Sequence, residues 1–271
     1  MMMGMKPGIL NWLMVGVALL GAVTVLMMLS GCVSGLVYPG ARPGFLTDDA
    51  VYNREHAAQY VRLAAEDGTP LCGWLFNRGS GRPLVVMYSG NGMSAGDWMS
   101  FAEADEARSY LMVNYRGYGG SAGEPTEEHL VQDACSVLRQ VREQVKPSSV
   151  ALVGFSLGTG VAVQTAAQED VQALVLICPF DSMENVACDM VPLLPRLLLR
   201  DTYESAAYAP KVSCPVTVFS ATQDEIVGAQ RTQALMQAFP QPVTHHAVTA
   251  GHNTILASPG FGEALRQVLP R

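Results

Sequence analysis

Short apolar runs alternate with amphipathic stretches along most of the chain. Two early strands are predicted at residues 59–65 and 71–76, and Asp67-Gly68 between them is typical of a hairpin turn. The run at 83–88 is almost continuously apolar, as in a strand that is buried on both faces. Further strands are predicted at residues 111–115, 150–153, 173–177, 216–219 and 243–248.

Helical segments occupy the intervals between the later strands. The clearest lies between Glu127 and Val145, where apolar residues recur at intervals of four and three positions until Pro147 ends the stretch. Other helices are predicted before about Arg108, over 159–167 and near 261–268. A hairpin followed by alternating strands and helices predicts an α/β domain with a mostly parallel sheet of about eight strands and helices on both faces.

The first 31 residues have the pattern of an export signal. Lys6 is their only charged residue, and an almost uninterrupted apolar run extends from Ile9 to Met28. Leu29-Ser30-Gly31-Cys32 resembles the bacterial lipobox, in which the cysteine thiol receives a diacylglyceryl group and becomes the new N-terminus. We therefore predict a lipoprotein-type signal segment over residues 1–31 and lipidation of Cys32.

This N-terminal sequence predicts that the rest of the chain is held beside a membrane. Two acyl chains on Cys32 would anchor it stably, whereas the alternative is an uncleaved signal anchor with an incidental cysteine. Val33 after the cysteine resembles lipoproteins that are sorted to the outer membrane, where a cell has one. Residues 32–55 are predicted as a tether and residues 56–271 as the folded domain.

Composition narrows the class of function. A chain of 271 residues with 49% hydrophobic content can bury one large core. The formal net charge is −7, and it becomes more negative when Lys6 leaves with the signal segment, so nucleic acid is an unsuitable partner.

Five cysteines remain beyond Cys32, an odd number for an exported protein. Cys72 and Cys178 fall in or at the end of predicted strands and are interpreted as small core residues. Cys188 and Cys214 are candidates for a disulfide, although sequence alone cannot establish the pairing. No C-x-x-C or H-x-x-x-H spacing occurs, so no metal site is predicted.

Gly154-Phe155-Ser156-Leu157-Gly158 lies where a predicted strand gives way to a predicted helix. This G-x-S-x-G pattern is typical of a nucleophile elbow, a sharp turn whose flanking glycines avoid steric conflict and whose serine side chain is left accessible. The sequence therefore predicts that Ser156 is a catalytic nucleophile.

A nucleophilic serine needs a histidine as base and an acid to orient that histidine. His252 follows the last predicted strand, and Asp224 follows the strand at 216–219, so that both lie at the carboxyl edge of the sheet. The chain order serine, aspartate, histidine is that of α/β-hydrolases. Glu225 and Asp181 are rival acids, whereas His245 and His246 lie within a strand and are interpreted as structural or surface residues.

An acyl-transfer site also needs two backbone N–H groups to hold the oxyanion. The residue after the nucleophile, Leu157, is expected to supply one of them. The loop Ser89-Gly90-Asn91-Gly92 follows the third strand, and Asn91 or Gly92 is expected to supply the other.

Several ordered motifs together resemble the bud-emergence-type (Bem-like) group of α/β-hydrolases, which includes protein depalmitoylases. They are Tyr115-Arg116-Gly117-Tyr118-Gly119-Gly120-Ser121, the segment around Ser156, Pro179-Phe180-Asp181-Ser182, Asp224-Glu225-Ile226-Val227 and Gly251-His252-Asn253. The resemblance extends over residues 59–268 and implies the α/β-hydrolase fold. One departure is Ser89-Gly90-Asn91, where the group usually has His-Gly-Asn.

The resulting prediction is a serine hydrolase that cleaves carboxylic esters or thioesters through an acyl-enzyme, without metal or cofactor. Residues 182–209 leave the sheet and are predicted as a small apolar cap, which would favour acyl chains, although its leucines can equally serve only to pack the cap. A serine peptidase and a non-catalytic lipoprotein that binds lipid or a partner remain alternatives. A less favoured alternative is an NADP-dependent enzyme, in which the glycine-rich segment 90–96 would bind the dinucleotide and Arg116 would bind its 2′-phosphate.

Overall fold

The computed structural model describes residues 35–46, 49–55, 58–191 and 196–271. The predicted signal segment and Cys32 lie outside these ranges, as do four residues of the predicted cap, 192–195. Within the described ranges, no helix combines the length and the hydrophobicity that crossing a bilayer requires.

The centre of the fold is a mostly parallel sheet. Its strands are β1 (Gln59–Ala64), β2 (Pro70–Phe76), β3 (Leu84–Tyr88), β4 (Ser109–Val113), β5 (Val150–Phe155), β6 (Ala173–Ile177), β7 (Val216–Ala221) and β8 (Val243–Val248). The described residues form eight strands in the order β1-β2-β4-β3-β5-β6-β7-β8. β2 is antiparallel to β1 and β4, and every other pairing is parallel. The predicted hairpin and the α/β class are confirmed.

Helices cover both faces of this sheet, as predicted. They are α1 (Asp49–Glu55), α2 (Met99–Glu103), α3 (Glu127–Val145), α4 (Leu157–Ala166), α5 (Met183–Met190), α6 (Ser205–Tyr208), α7 (Ala229–Ala238) and α8 (Phe261–Val268). Successive residues of β3 enter opposite cores: Leu84 and Val86 share one core with α3 and α4, whereas Val85 and Met87 share the other with α2 and α8. The alternation of side chains along a strand explains why β3 is apolar throughout.

Two predicted boundaries near β4 were wrong. The strand begins at Ser109 rather than residue 111, because Ser109 is fully buried and its Oγ accepts a hydrogen bond from the backbone N–H of Arg78. The preceding helix ends at Glu103 rather than near Arg108. Asp105 accepts hydrogen bonds from the Ala107 N–H and the Arg108 guanidinium, which stabilise a turn in place of further helix.

Residues 35–55, which the sequence predicts as part of a tether, pack on the domain where the structure describes them. Tyr38 is buried, and its hydroxyl forms a hydrogen bond of 3.0 Å with that of Tyr203. Asp49 accepts hydrogen bonds from the Asn114 side chain and the Gly120 N–H. The packed body therefore begins before residue 56.

Arg116 forms a structural junction at the turn after β4. Its side chain is buried and makes a bidentate pair with Asp133 of α3, at 2.7 Å for both hydrogen bonds. A third nitrogen donates to Asp67 in the β1–β2 turn. One guanidinium thereby joins the turn, a helix and the hairpin.

We expect Asp133→Ala to lower the free energy of unfolding by roughly 3–5 kcal/mol, because it leaves a buried guanidinium without its bidentate partner. Urea unfolding followed by circular dichroism measures the change. Glu66→Ala is the matched control, since the Glu66–Arg139 pair has side chains that are 64% and 54% exposed and should contribute no more than about 1 kcal/mol. Equal losses in the two variants would contradict this assignment.

Candidate active site

Ser156 lies on a strained turn between β5 and α4. Its backbone has φ 51° and ψ −119°, a conformation that side-chain-bearing residues rarely adopt. Its N–H donates to the Ile177 carbonyl at 2.9 Å. A Cβ at Gly154 would lie 2.4 Å from the Gly158 carbonyl oxygen, and one at Gly158 would lie 2.2 Å from that of Tyr88. Glycine is therefore required on both sides of the serine, as the G-x-S-x-G pattern predicts.

The structure brings the three predicted catalytic side chains together. His252 Nε2 lies 2.8 Å from Ser156 Oγ, and His252 Nδ1 lies 2.9 Å and 3.0 Å from the two carboxylate oxygens of Asp224. With the proton on Nδ1, the imidazole donates to Asp224 and accepts from the serine hydroxyl. This arrangement can remove a proton from the serine as it attacks a carbonyl carbon.

The environment of Asp224 keeps its carboxyl group ionised. Burial raises the pKa of Asp224, but the hydrogen bond from His252 and those from the backbone N–H groups of Val227 and Ile226 outweigh it, so the pKa lies below its usual value. The two backbone bonds, at 2.7 Å and 3.0 Å, also fix the orientation of the carboxylate.

The rival acids occupy other positions. Glu225 accepts a hydrogen bond from the backbone N–H of His252 at 3.1 Å, so it holds the histidine loop rather than the imidazole. Asp181 accepts from Asn185 and Arg231 and from the Ser182 backbone. Of the three acids, Asp224 is the one whose hydrogen bonds reach the imidazole.

Cys178 is a neighbour of this group that the sequence did not single out for the site. It is buried at the end of β6 with φ 51°, and its Sγ, a carboxylate oxygen of Asp224 and a ring nitrogen of His252 lie within 4.8 Å of one another. Such spacing also suits metal ligands, but both ring nitrogens of His252 are already engaged by Asp224 and Ser156. Burial raises the pKa of the Cys178 thiol well above its usual value, which disfavours the thiolate that a metal requires.

The loop after β3 passes beside the nucleophile. A Cβ at Gly90 would lie 3.6 Å from the Ser156 Cβ, and Gly90, Asn91 and Gly92 border the same cavity as Ser156. The Asn91 carbonyl is oriented by hydrogen bonds from the Tyr118 hydroxyl and the Gly40 N–H. Leu157 is the first residue of α4, where a backbone N–H has no intrahelical acceptor. The predicted oxyanion donors therefore lie in suitable elements.

Ser89 shows how this loop is supported without the histidine found in the resembling group. The Ser89 hydroxyl donates to the Ser94 carbonyl and accepts from the Trp98 indole N–H, at 3.3 Å and 3.2 Å. The Ser89 carbonyl accepts from the Tyr115 hydroxyl at 2.8 Å. These bonds hold the loop between β3 and the following helical turn.

An apolar cavity of about 680 Å³ opens onto the nucleophile. Ser156 and His252 lie at its polar part. The apolar lining includes residues from at least five parts of the chain: Leu36 and Val37, Phe155, Phe180, the α5 residues Met183, Val186, Ala187 and Met190, and Leu256. Residues of the predicted cap therefore border the site. Leu36 and Val37 could not be found from the sequence, because their segment has no periodicity.

Residues 201–203 are held on the body of the domain by Glu127. Glu127 at the start of α3 accepts hydrogen bonds from the backbone N–H groups of Thr202 and Tyr203, and Asp201 accepts from the Glu127 N–H. These acids border a second, more polar cleft of about 820 Å³, where their oxygens accept hydrogen bonds from backbone N–H groups and, for Glu127, also from the Gln164 side chain.

Other predictions are also resolved by the side-chain contacts. The buried Arg116 guanidinium is paired with Asp133 and Asp67, so it does not serve a 2′-phosphate as the NADP alternative requires. Cys188 and Cys214 are both free, and the candidate disulfide is absent between these two described residues. His245 bonds Ser220 and His246 stacks on Phe219, in agreement with structural roles.

Comparison with known proteins agrees with this architecture. A family model described as alpha/beta hydrolase fold matches residues 83–206. The uncharacterized protein Rv2307c of Mycobacterium tuberculosis is 38% identical over 208 residues, which cover 73% of each chain. Human alpha/beta hydrolase domain-containing protein 17B is 29% identical over 189 residues, covering 68% of this chain and 65% of that protein.

A solved structure gives the same result for the fold. The Pyrococcus furiosus esterase Pf2001 superposes with a TM-score of 0.63 at 18% sequence identity, covering 82% of this chain and 93% of the esterase. At this identity the likeness concerns the fold alone.

Proposed function

Because the chain belongs to the α/β-hydrolase superfamily, we propose that it is a serine hydrolase that cleaves carboxylic esters or thioesters through an acyl-enzyme. The observation that carries this proposal is the continuous hydrogen-bonded series from Ser156 through His252 to Asp224, with 2.8 Å between hydroxyl and imidazole. Its position at an apolar cavity supports an acyl substrate rather than a polar one.

In the proposed reaction each of these side chains has one role. Ser156 Oγ attacks the carbonyl carbon while His252 Nε2 takes its proton, and Asp224 stabilises the resulting imidazolium. The N–H groups of Leu157 and of Asn91 or Gly92 hold the oxyanion. The leaving alcohol or thiol takes the proton from His252, and water then attacks the acyl-enzyme by the reverse sequence of proton transfers.

The experiment is a panel of p-nitrophenyl esters and acyl thioesters of graded chain length, tested with the purified protein. We expect turnover that rises with acyl length, because each added methylene finds apolar surface in the cavity. The resemblance to a group that includes protein depalmitoylases makes the thioester arm informative. Absence of turnover on every member would favour the non-catalytic alternative.

The pH dependence should show one ionisation on the acid side. Since the pKa of Asp224 lies below its usual value, which is about 3.9, its carboxylate stays charged above about pH 5 and adds no ionisation to the profile in that range. We expect log kcat/KM to level off at alkaline pH and to fall towards pH 5 with a limiting slope of one, because a single catalytic base must be unprotonated. Hydrolysis of p-nitrophenyl butyrate measures it, and a slope of two in that range would contradict the assignment.

We further propose that the domain is tethered to a membrane through Cys32. This proposal is supported by the lipobox-like sequence that follows an apolar run. The acidic net charge gives no reason to expect nucleic acid as a partner. Cells fed an alkynyl fatty acid should label the wild-type chain, whereas Cys32→Ser should lose the label because it lacks the thiol. Equal labelling of both chains would contradict lipidation at this residue.

A further inference from the structure

Exposed apolar side chains are concentrated around the mouth of the cavity. Among the described residues, the large hydrophobic side chains with high exposure are Leu36 (70%), Phe45 (51%), Met190 (61%), Val191 (53%) and Leu197 (69%). We call these five residues the apolar rim. Leu36, Met190 and Val191 border the cavity that holds Ser156.

The other two members lie next to residues that border the same cavity. The Phe45 ring is 3.6 Å from the position that a Cβ on Gly92 would occupy. Leu197 belongs to the short 3-10 helix Arg196–Leu198, which leads directly to the cavity residue Leu199. An exposed apolar surface gathered in one place, rather than scattered singly, marks an interaction site.

The two segments that carry the rim contain basic residues and no acid, although two acids lie nearby: Asp97 borders the cavity, and Asp189, which pairs with Arg231, precedes Met190. Residues 35–46 contain Arg42 and no acid, and residues 190–200 contain Arg196 and Arg200 and no acid, whereas the net charge of the chain is −7. Arg42 and Arg200 are exposed; Arg196 is also exposed but pairs with Glu184 of α5. Cationic side chains beside an apolar surface suit an anionic lipid surface.

The position of Cys32 in the sequence points to the same partner. The apolar run of residues 9–28 and Cys32 immediately precede the described segment that begins at Gly35. Three residues span at most about 10 Å even when fully extended. An anchor at Cys32 would therefore hold Leu36, and with it the mouth of the cavity, close to the bilayer surface.

We propose that the apolar rim docks on an anionic phospholipid bilayer and that the cavity takes its acyl substrate directly from that bilayer. The second half rests on the proposed hydrolase function, whereas the docking does not. An acyl chain that passes from lipid into the cavity through this mouth avoids exposing its methylenes to water, which is unfavourable for each one. The ester or thioester bond of the substrate then reaches Ser156, while the polar head group of the substrate remains at the bilayer surface.

The docking is tested with the full chain in vesicles of phosphatidylglycerol and phosphatidylcholine. An environment-sensitive dansyl amino acid replaces either Leu197 in the rim or Gln144 as the control. Gln144 is exposed near the end of α3. The nearby Lys146 carbonyl accepts a hydrogen bond from the N–H of Gly81, which precedes β3. The control position therefore lies at the amino end of β3, whereas the site lies at the carboxyl ends of the strands. We expect brominated lipids to quench the probe at position 197 at least about twofold more than at position 144.

The substrate half is tested with Leu197→Asp, which adds a charge to the rim without altering a residue that borders the cavity. Hydrolysis of a bilayer-embedded long-chain acyl ester should fall about tenfold or more, while that of water-soluble p-nitrophenyl acetate stays within about twofold. Gln144→Asp, the matched charge change, should keep both activities.

The outcomes separate the two proposals. Equal quenching at positions 197 and 144 overturns the docking, as does cross-linking between copies through the rim, which would assign it to a second copy of the chain. The delivery of substrate from the bilayer is overturned if Leu197→Asp keeps full activity on the bilayer-embedded ester. It is also overturned if this variant loses activity on the embedded ester and on p-nitrophenyl acetate alike. Absence of both activities in the wild type overturns the hydrolase proposal, while the quenching still decides the docking.

Discussion

Ser156→Ala is expected to lower kcat on the order of 10⁴ to 10⁶-fold. The alanine has no atom to form the acyl-enzyme, and the residual rate reflects only binding and the oxyanion donors. His252→Ala gives a loss of the same order because the two residues act as a unit. Initial rates with p-nitrophenyl butyrate measure both variants.

Two controls make this loss specific. Ser100→Ala removes an exposed serine of α2 and should keep the wild-type rate. Circular dichroism should show that Ser156→Ala remains folded, since removal of the hydroxyl leaves the backbone turn and its bond to Ile177 in place. Ser156→Ala with more than about one hundredth of the wild-type kcat would exclude a serine mechanism.

Asp224→Asn is expected to lower kcat by about 10⁴-fold, with little change in structure. The amide can no longer stabilise the imidazolium, and its NH₂ group can face Nδ1 of His252 and favour the tautomer with the proton on Nε2. That tautomer cannot accept the proton of Ser156. The measurement is kcat across the pH range used for the wild type.

Glu225→Gln is the matched control for this change. Glu225 accepts a hydrogen bond from the backbone N–H of His252, and glutamine keeps an oxygen for that bond, so the loss should not exceed about tenfold. A larger loss in Glu225→Gln than in Asp224→Asn would identify Glu225 as the acid that matters.

Much of the fold could be predicted because its elements follow periodic rules. The helix Glu127–Val145 has the predicted bounds, since Thr126 caps its start by accepting from the His129 N–H and Lys146, with φ 51°, ends it before Pro147. β4 was displaced by two residues because the polar Ser109 is buried, which a hydrophobicity pattern cannot show.

The proximity of the candidate catalytic side chains could be predicted for a topological reason. Ser156 and Asp224 each follow a parallel strand at its carboxyl end, and His252 follows the last strand, so the sheet brings all three to one edge. The sequence predicts Asp224 as the acid with the adjacent Glu225 as a rival, and the folded chain distinguishes their contacts: Asp224 bonds the imidazole and Glu225 the backbone N–H of His252.

The apolar rim could not be predicted in the same way. Leu36 and Phe45 belong to a segment without periodicity, and Met190 and Leu197 come from a region more than 140 residues later in the chain. Only the folded chain places them around one opening. Exposure of an apolar side chain is a property of the finished surface rather than of the local sequence.

The most direct measurement for the central claim is labelling with a fluorophosphonate, followed by mass spectrometry of the proteolytic peptides. An ordinary serine hydroxyl does not react, whereas one activated by an imidazole does. We predict a single phosphonylated residue, Ser156, and loss of the adduct in His252→Ala. An unlabelled protein, or an adduct on a different serine, would contradict it.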